Sequence, residues 1–388
     1  MLSGRPFLQI PGPTNVPDRI LRAMDRPVID HRSPEFATLT REVLPGMRQV
    51  FGTRDGAVVL YPGSGTGAWE ASLVNVLAPG DRVLAFNYGH FSALFARTAR
   101  NLGYEVDEVP LRWGQELPAE EVEAHLKADR GGNPYRAVLV VHNETSTGVT
   151  SDVGAIRRAM DSAGHTALLV VDVVSSLASM DFRFDEWGVD VALCGSQKGL
   201  MLPPGMSILC VGPRALEAGE RGGSPRNFWD WRPVIRDNAV GFFPYTPATL
   251  LLFGLREALK MLVEEEGLPA VYARHRRLAD GVRAAVRAWN LQILCERPEF
   301  YSDSLTAVVM PEGIDSDDVI RRARERFGLS LGVGLGRIKG KVLRIGHLGA
   351  LNELEVIGTL GGLELALAEA GVRLELGRGV AACLRDFA

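Results

Sequence analysis

Short runs of branched aliphatic residues with no polar residue at alternate positions recur in this chain, Ala137–Val141 and Leu168–Val171 being the clearest. A strand with one face in water alternates apolar and polar side chains, so a strand without that alternation must be covered on both faces. Helical stretches that supply such cover fall between the runs, at Phe91–Leu102, Ala119–Ala128 and Val153–Ala163. Further strands are expected at Ala57–Tyr61, Arg82–Phe86, Glu105–Val109, Val189–Cys194 and Ser207–Val211. A helix is expected from Thr66 to Leu77, with Trp69, Leu73 and Val76 on one face. Strand–helix alternation of this kind implies right-handed crossovers and a mostly parallel sheet between two helical layers. The expected fold class is α/β.

At 388 residues the chain exceeds the roughly 250–300 at which a single core stops growing. A large domain over 16–265 and a smaller α+β domain over 266–388 are therefore expected, with the boundary inside Leu250–Trp289. The small domain would hold strands at Leu291–Cys295, Thr306–Met310 and Val342–Ile345 and helices at Ser316–Phe327 and Glu353–Ala370. The net charge is −4 and no block of Lys and Arg appears. Arg274-His275-Arg276-Arg277 lies on one helix beside Asp280, so neither nucleic acid nor a membrane surface is an expected partner. The four cysteines are scattered without CxxC spacing, which suits reduced thiols rather than a disulfide frame or a zinc site. No HxxxH spacing joins His31, His90 and His142, so they are read as packing groups and no metal is expected. Trp229-Asp230-Trp231 reads as core or subunit interface. The opening residues carry no apolar signal core, and no run approaches membrane-spanning length. A soluble, cytoplasmic protein is expected.

Chemistry concentrates at Lys198, in Gly195-Ser196-Gln197-Lys198-Gly199-Leu200, 26 residues beyond the acid that closes the strand ending at Asp172. One strand–loop–strand excursion of that length returns both side chains to the same edge of a sheet. A lysine in a tight turn with a buried acid nearby is what pyridoxal 5′-phosphate requires: the amine bonds the aldehyde, and the acid keeps the pyridine nitrogen protonated. A lone lysine in such a place is a surface loop residue; the paired acid argues otherwise.

Between a strand and a helix lies Pro62-Gly63-Ser64-Gly65-Thr66-Gly67. Alone, it serves as well for a structural turn as for a phosphate cradle at a helix N-terminus; alongside Lys198 and Asp172 it is read as the cradle. Val141–Gly148 follows a buried strand, where loops of doubly wound sheets converge on ligands. Thr145 within it is a candidate for the cofactor's phenolic oxygen, and an ordinary Ser/Thr turn is the alternative. Arg344 interrupts the apolar strand Val342–Ile345, and a buried guanidinium needs an anion: a substrate carboxylate, or an internal salt bridge.

Pro11–Pro17, Gly63–Gly67, His142–Gly148, Val171–Ser176, Gly195–Leu200, Phe243–Pro247 and Gly340–Gly349 together resemble the class V branch of the fold-type I, pyridoxal-phosphate-dependent aminotransferases. The chain is most similar to the serine–glyoxylate and alanine–glyoxylate types, with the microbial serine–glyoxylate type foremost through Ile29–Ser33, His142–Thr145, Gly199–Pro203 and Tyr245–Pro247. Aspartate–glyoxylate enzymes share most of these strings. The resemblance implies a large domain with a mainly parallel sheet, and an N-terminal active-site segment over 1–15. It assigns Lys198 the bond to the cofactor and proton transfer, and Asp172 the pyridine nitrogen. Ser64, Gly65, Thr66 and Gln197 would surround the phosphate, Phe91 would stack on the ring, and Thr145 would line the site. Thr246 would reach the phosphate of a partner subunit, which implies a homodimer with shared sites. Phe243 stands where animal alanine–glyoxylate enzymes carry a tyrosine that makes that contact. Arg344 would bind the substrate α-carboxylate, with Pro13 and Thr14 in the loop that closes over it. The implied reaction is ping-pong transfer from a small L-amino acid, L-serine first and L-alanine or L-aspartate as alternatives, to glyoxylate. A cysteine desulfurase-like lyase and a non-catalytic nucleotide-binding protein are the rival functions.

Overall fold

The uninterrupted aliphatic runs become the centre of a sheet in the computed structural model, which describes residues 6–388. The first five residues of the segment expected at 1–15 lie outside the described residues. Among the described residues seven strands form the large sheet. Their order is Ala57–Pro62, Met206–Val211, Val191–Gly195, Leu168–Asp172, Tyr135–Val141, Arg82–Asn87 and Glu105–Pro110. Met206–Val211 runs antiparallel to both neighbours, and every other pairing is parallel. Leu168–Asp172 and Val191–Gly195 are buried along their whole length, as the missing alternation requires. The edge strand Glu105–Pro110 carries exposed Glu105 and Asp107, charges that discourage pairing with another chain.

The second sheet has the order Phe7–Gln9, Leu329–Val333, Val342–Gly346, Leu305–Val309 and Gln292–Ile293. It packs on Ser316–Phe327 and Glu353–Glu369, with Leu343, Leu360 and Leu363 fully buried. The long helix Leu268–Ala288 contributes Val271 to the first core and Leu278 and Val282 to the second.

Two of these small-sheet strands are absent from the sequence expectations. Leu329–Val333 runs straight into Gly332 and Gly334, which weaken a strand pattern, and Phe7–Gln9 is three residues long. The helices Pro34–Phe51 and Arg378–Phe387 are likewise additions. The first is capped by Ser33, whose hydroxyl accepts from Phe36 N at 3.2 Å, and it ends on left-handed Gly52 (φ 69°).

Phe7–Gln9 pairs in parallel with Leu329–Leu331, and Gln9 Nε2 donates to the Gly346 carbonyl at 2.8 Å. The chain then crosses to the large sheet, where Thr14 N donates to Gln197 O and Thr14 Oγ1 to Lys198 O, both at 3.1 Å. The N-terminal segment thus joins the small sheet to the lysine turn. A side chain at Gly346 has no room, because a Cβ there would overlap the Ile10 carbonyl and sit 2.8 Å from Pro11 N. Gly346→Ala should therefore push this segment off the sheet at a cost of about 1–3 kcal/mol. The expected result is a lower melting temperature with faster amide exchange over residues 7–15, read by hydrogen-exchange mass spectrometry.

Candidate active site

Parallel pairing aligns Val141 with Asp172 and Asp172 with Leu193. His142 N donates to Asp172 O and Val173 N to Leu193 O, both at 2.9 Å. The loops that follow therefore leave the sheet side by side at its carboxyl edge, where open α/β sheets bind ligands. A cavity of about 280 Å³ lies there. Its wall brings together Lys198, Asp172, Gln197, Thr145, Phe91 and the turn Ser64–Thr66. Gly12 supplies the wall where Pro13 and Thr14 were expected; Thr14 stands behind it, fastened to the lysine turn. Thr246 is exposed and outside this wall.

The turn that carries Lys198 is held rigidly. Ser196 Oγ donates to Pro203 O at 2.7 Å, and Met201 N donates to Lys198 O at 2.9 Å. Gly199 packs so closely that a Cβ would overlap the Leu177 carbonyl. The Lys198 amine donates to Pro11 O. Burial and the nearby Arg344 charge lower its pKa to about 8, against the opposing pull of Asp172.

Asp172 receives Trp69 Nε1 at 2.8 Å and Val174 N at 2.7 Å. Those donors stabilise the carboxylate, yet burial outweighs them and pushes its pKa up to about 7. The carboxylate is short of positive charge. Elsewhere on the same cavity wall, Gln197 Oε1 is buried with no hydrogen-bond partner.

The loop after Val141 is built around a carboxylate. Glu144 is fully buried and accepts from Ser92 N at 2.9 Å, Phe91 N at 3.3 Å, Ser146 N at 3.0 Å and Ser146 Oγ at 2.6 Å. It thus caps the helix His90–Asn101, which presents Phe91, and folds the loop that presents Thr145. Asn143 Nδ2 donates to Ser175 Oγ at 2.9 Å and Ser304 Oγ at 2.7 Å, joining the two sheets. His142 is packed against Phe182 and Trp187, with its Nδ1 2.9 Å from Ser176 Oγ. Burial lowers its pKa to about 4, so it is neutral.

Arg344 is almost buried and is not among the residues of the cavity wall, although its charge reaches Lys198. Its Nε donates to Val333 O and its Nη1 to Thr145 O, both at 2.8 Å. Among the described residues it has no ion pair with a carboxylate, and burial lowers its pKa to about 10, partly offset by Glu144. The internal salt bridge weighed for Arg344 is thus not formed there. All four cysteines are buried and free, and none lines the cavity. Trp69, Glu144 and Gly12 are site residues that the motifs did not single out. Glu144 and Gly12 fall inside the segments His142–Gly148 and Pro11–Pro17, and the periodicity gives Trp69 only a packing face.

The match to known proteins extends over the same ground. Residues 7–336 fit the family model described as Aminotransferase class-V. The chain belongs to the class-V aminotransferases. A serine–glyoxylate aminotransferase of Methylorubrum extorquens is 49% identical, over 98% of this chain and 95% of its own length. An L-aspartate–glyoxylate aminotransferase of Paracoccus denitrificans is 47% identical over 100% of this chain and 97% of its own. The crystal structure of a ureidoglycine–glyoxylate aminotransferase from Bacillus subtilis superposes with a TM-score of 0.91 at 29% identity, covering 100% of this chain and 99% of that one.

The cofactor of class-V aminotransferases is pyridoxal 5′-phosphate, and the residues of this enzyme fit it. A buried carboxylate short of positive charge, an orphaned amide oxygen and a lysine amine of lowered pKa all surround one cavity. A glycine-rich turn opens the helix Gly65–Val76 at its mouth. The carboxylate can accept from a protonated pyridine nitrogen, the amine can bond an aldehyde, and the helix N-terminus suits a phosphate. Glu144→Gln would place an amide N–H against donors that already point inward. A buried unmet donor costs about 1–3 kcal/mol, so this variant of the aminotransferase should melt at a lower temperature and bind the cofactor more weakly. Both are measurable by thermal denaturation with and without added pyridoxal phosphate.

Proposed function

We propose that this class-V aminotransferase moves an amino group from L-serine to glyoxylate, giving hydroxypyruvate and glycine. The observation that carries the reading is Arg344: a nearly buried guanidinium without a carboxylate partner, close enough to Lys198 to lower its pKa, beside a cavity of about 280 Å³. A planar guanidinium binds a carboxylate at two points. Both an amino acid and glyoxylate carry one, and little space is left for anything larger. Several full-length relatives are named for glyoxylate, and those at 46–49% identity include serine–glyoxylate aminotransferases of Methylorubrum extorquens and Arabidopsis thaliana. L-Aspartate is the second reading of the donor, favoured by the Paracoccus denitrificans relative.

In this reading Ser64, Gly65, Thr66 and Gln197 would hold the cofactor phosphate, Phe91 would stack on the ring, and Thr145 would line the site. Asp172 would pair with the ring nitrogen and keep it protonated. Bound pyridoxal phosphate supplies an electron sink for the bond broken at the substrate Cα. Lys198 would shuttle one proton within each half of the cycle, from the donor Cα to the cofactor carbon and later from that carbon to the new glycine Cα, and its lowered pKa makes it an effective base near neutrality. Arg344 holds the carboxylate of each substrate in turn, and the segment carrying Gly12, Pro13 and Thr14 excludes water above Lys198.

The enzyme works as a cytoplasmic homodimer, with exposed Thr246 reaching the partner's phosphate site. Phe243 has no hydroxyl to offer that contact, and the Tyr245 hydroxyl is engaged within its own chain, donating to Leu60 O at 2.6 Å. Domain limits at 16–265 and 266–388 accompany this reading.

The deciding experiment follows cofactor absorbance after mixing the holoenzyme with L-serine, L-alanine or L-aspartate, and then with glyoxylate. The greatest half-reaction rate constant per unit concentration should belong to L-serine; a greater value for L-aspartate would transfer the assignment to that donor. Lys198→Ala should abolish turnover and the borohydride-reducible bond between cofactor and chain. Arg344→Lys keeps the charge but loses the two-point fork. It should lower kcat/KM about 10- to 100-fold for donor and glyoxylate alike, the equivalent of ~1.5–3 kcal/mol for a hydrogen bond to a charged group. Unchanged KM values with a lower melting temperature would instead make Arg344 a purely structural residue.

A further inference from the structure

Trp69 lies in the helix Gly65–Val76, just past the glycine-rich turn, and is 5% exposed. Its indole ring stacks on Phe95 at a centroid separation of 5.4 Å and an interplanar angle of 15°. Phe95 is itself buried on His90–Asn101, the helix that presents Phe91. That stacking fixes the plane of the indole, and hence the direction of its N–H. The N–H donates to Asp172 Oδ2 at 2.8 Å, while the other carboxylate oxygen takes the Val174 amide at 2.7 Å.

The carboxylate is therefore held at both oxygens by donors that cannot rotate away, one on a backbone and one on a stacked ring. Val174 N alone would fix one oxygen and leave the group free to turn about its Cβ–Cγ bond. Indole is also a donor only, with no lone pair to compete for a proton, so this contact favours the ionised carboxylate and never the neutral acid. The need for such support is evident from the burial that disfavours charge at Asp172.

We propose that Trp69 is a positioning residue of this aminotransferase, whose indole N–H holds the Asp172 carboxylate ionised and turned toward the cofactor's ring nitrogen. The inference rests on the reading of the cavity as the pyridoxal phosphate site. Without the indole N–H, Asp172 becomes the stronger base, and the shared proton shifts from the ring nitrogen toward the carboxyl. The ring is then a poorer electron sink, even though the cavity keeps its shape.

Trp69→Phe preserves a ring against Phe95 and removes the donor. Replacing Trp69 with benzothienylalanine, which has sulfur in place of the N–H, removes the donor with almost no change of shape and covers the case in which Phe packs poorly. The dissociation constants of each apoprotein are measured for pyridoxal phosphate and for its 1-deaza analogue, which has C–H in place of the ring nitrogen. Both variants should bind pyridoxal phosphate about tenfold more weakly, equivalent to ~1.4 kcal/mol, and the deaza analogue less than about twofold more weakly. Turnover per bound cofactor should fall by a similar factor with an unchanged KM for glyoxylate. Equal weakening toward both compounds, or no weakening toward either, overturns the inference and leaves Trp69 a wall of the cavity. A wild-type protein that binds the two compounds equally well would show that Asp172 does not hold the ring nitrogen, and both proposals would fall together.

Discussion

Parallel pairing is the constraint on which everything else in this molecule depends. Neighbouring parallel strands point the same way, so the loops that follow them emerge together at one edge. Here Tyr135–Val141, Leu168–Asp172 and Val191–Gly195 end nearly level, which gathers Thr145, Asp172 and Lys198 although more than fifty residues separate the first from the last. No side chain has to reach far. Each needs only to be among the first residues after its own strand, and the one antiparallel member, Met206–Val211, returns the chain beneath the glycine-rich turn.

Once loops are buried at such an edge, their polar groups must find partners. The solution is the same in three places: a backbone or side-chain group of one loop satisfies a charged or amide group of another. Glu144 collects the amides of the neighbouring helix and its own loop. Asn143 reaches across to Ser304 in the small sheet, and Arg344 returns the gesture by donating to Thr145 O. The cavity wall is in consequence stiff, because moving any one loop would strand a buried donor or acceptor of another. At or beside that stiff wall, burial displaces the pKa of Lys198, Asp172 and Arg344 toward the neutral form of each. Three ionisable groups that burial pushes toward neutrality, gathered at one sheet edge, mark where a ligand belongs.

The sheet was legible from the chain because strands buried on both faces leave an unmistakable run of aliphatic residues. The lysine and its acid were legible because they occupy the ends of such runs. What escaped has a common physical origin. Leu329–Val333 leads into glycines and Phe7–Gln9 is too short for any period to show, so neither declares itself without its partner strand. Trp69 has the spacing of a core residue and is one; its second task depends on the direction of a single N–H, which no periodicity encodes. Glu144 was visible only as one letter of a polar loop, since the amides it caps belong to a helix more than fifty residues earlier. Arg344 was ambiguous until its surroundings were known, because an arginine that binds substrate and one that braces a fold look alike in a strand.

The three-residue strand at the start of the chain has a consequence for the order of events during synthesis. Phe7–Gln9 can pair only when Leu329–Leu331 exists. At the roughly 5–20 residues per second of a translating ribosome, that wait lasts on the order of 15 to 60 s. The sheet edge bearing Asp172 and Lys198 can be complete well before then, while Pro11 and Gly12 have nothing to anchor them. The nascent chain therefore carries an open cleft lined by a reactive amine while the roughly 120 residues between Val211 and Leu331 are translated. Residues 7–12, translated long before their partner strand, are among the last to take their place, and their arrival closes the cleft.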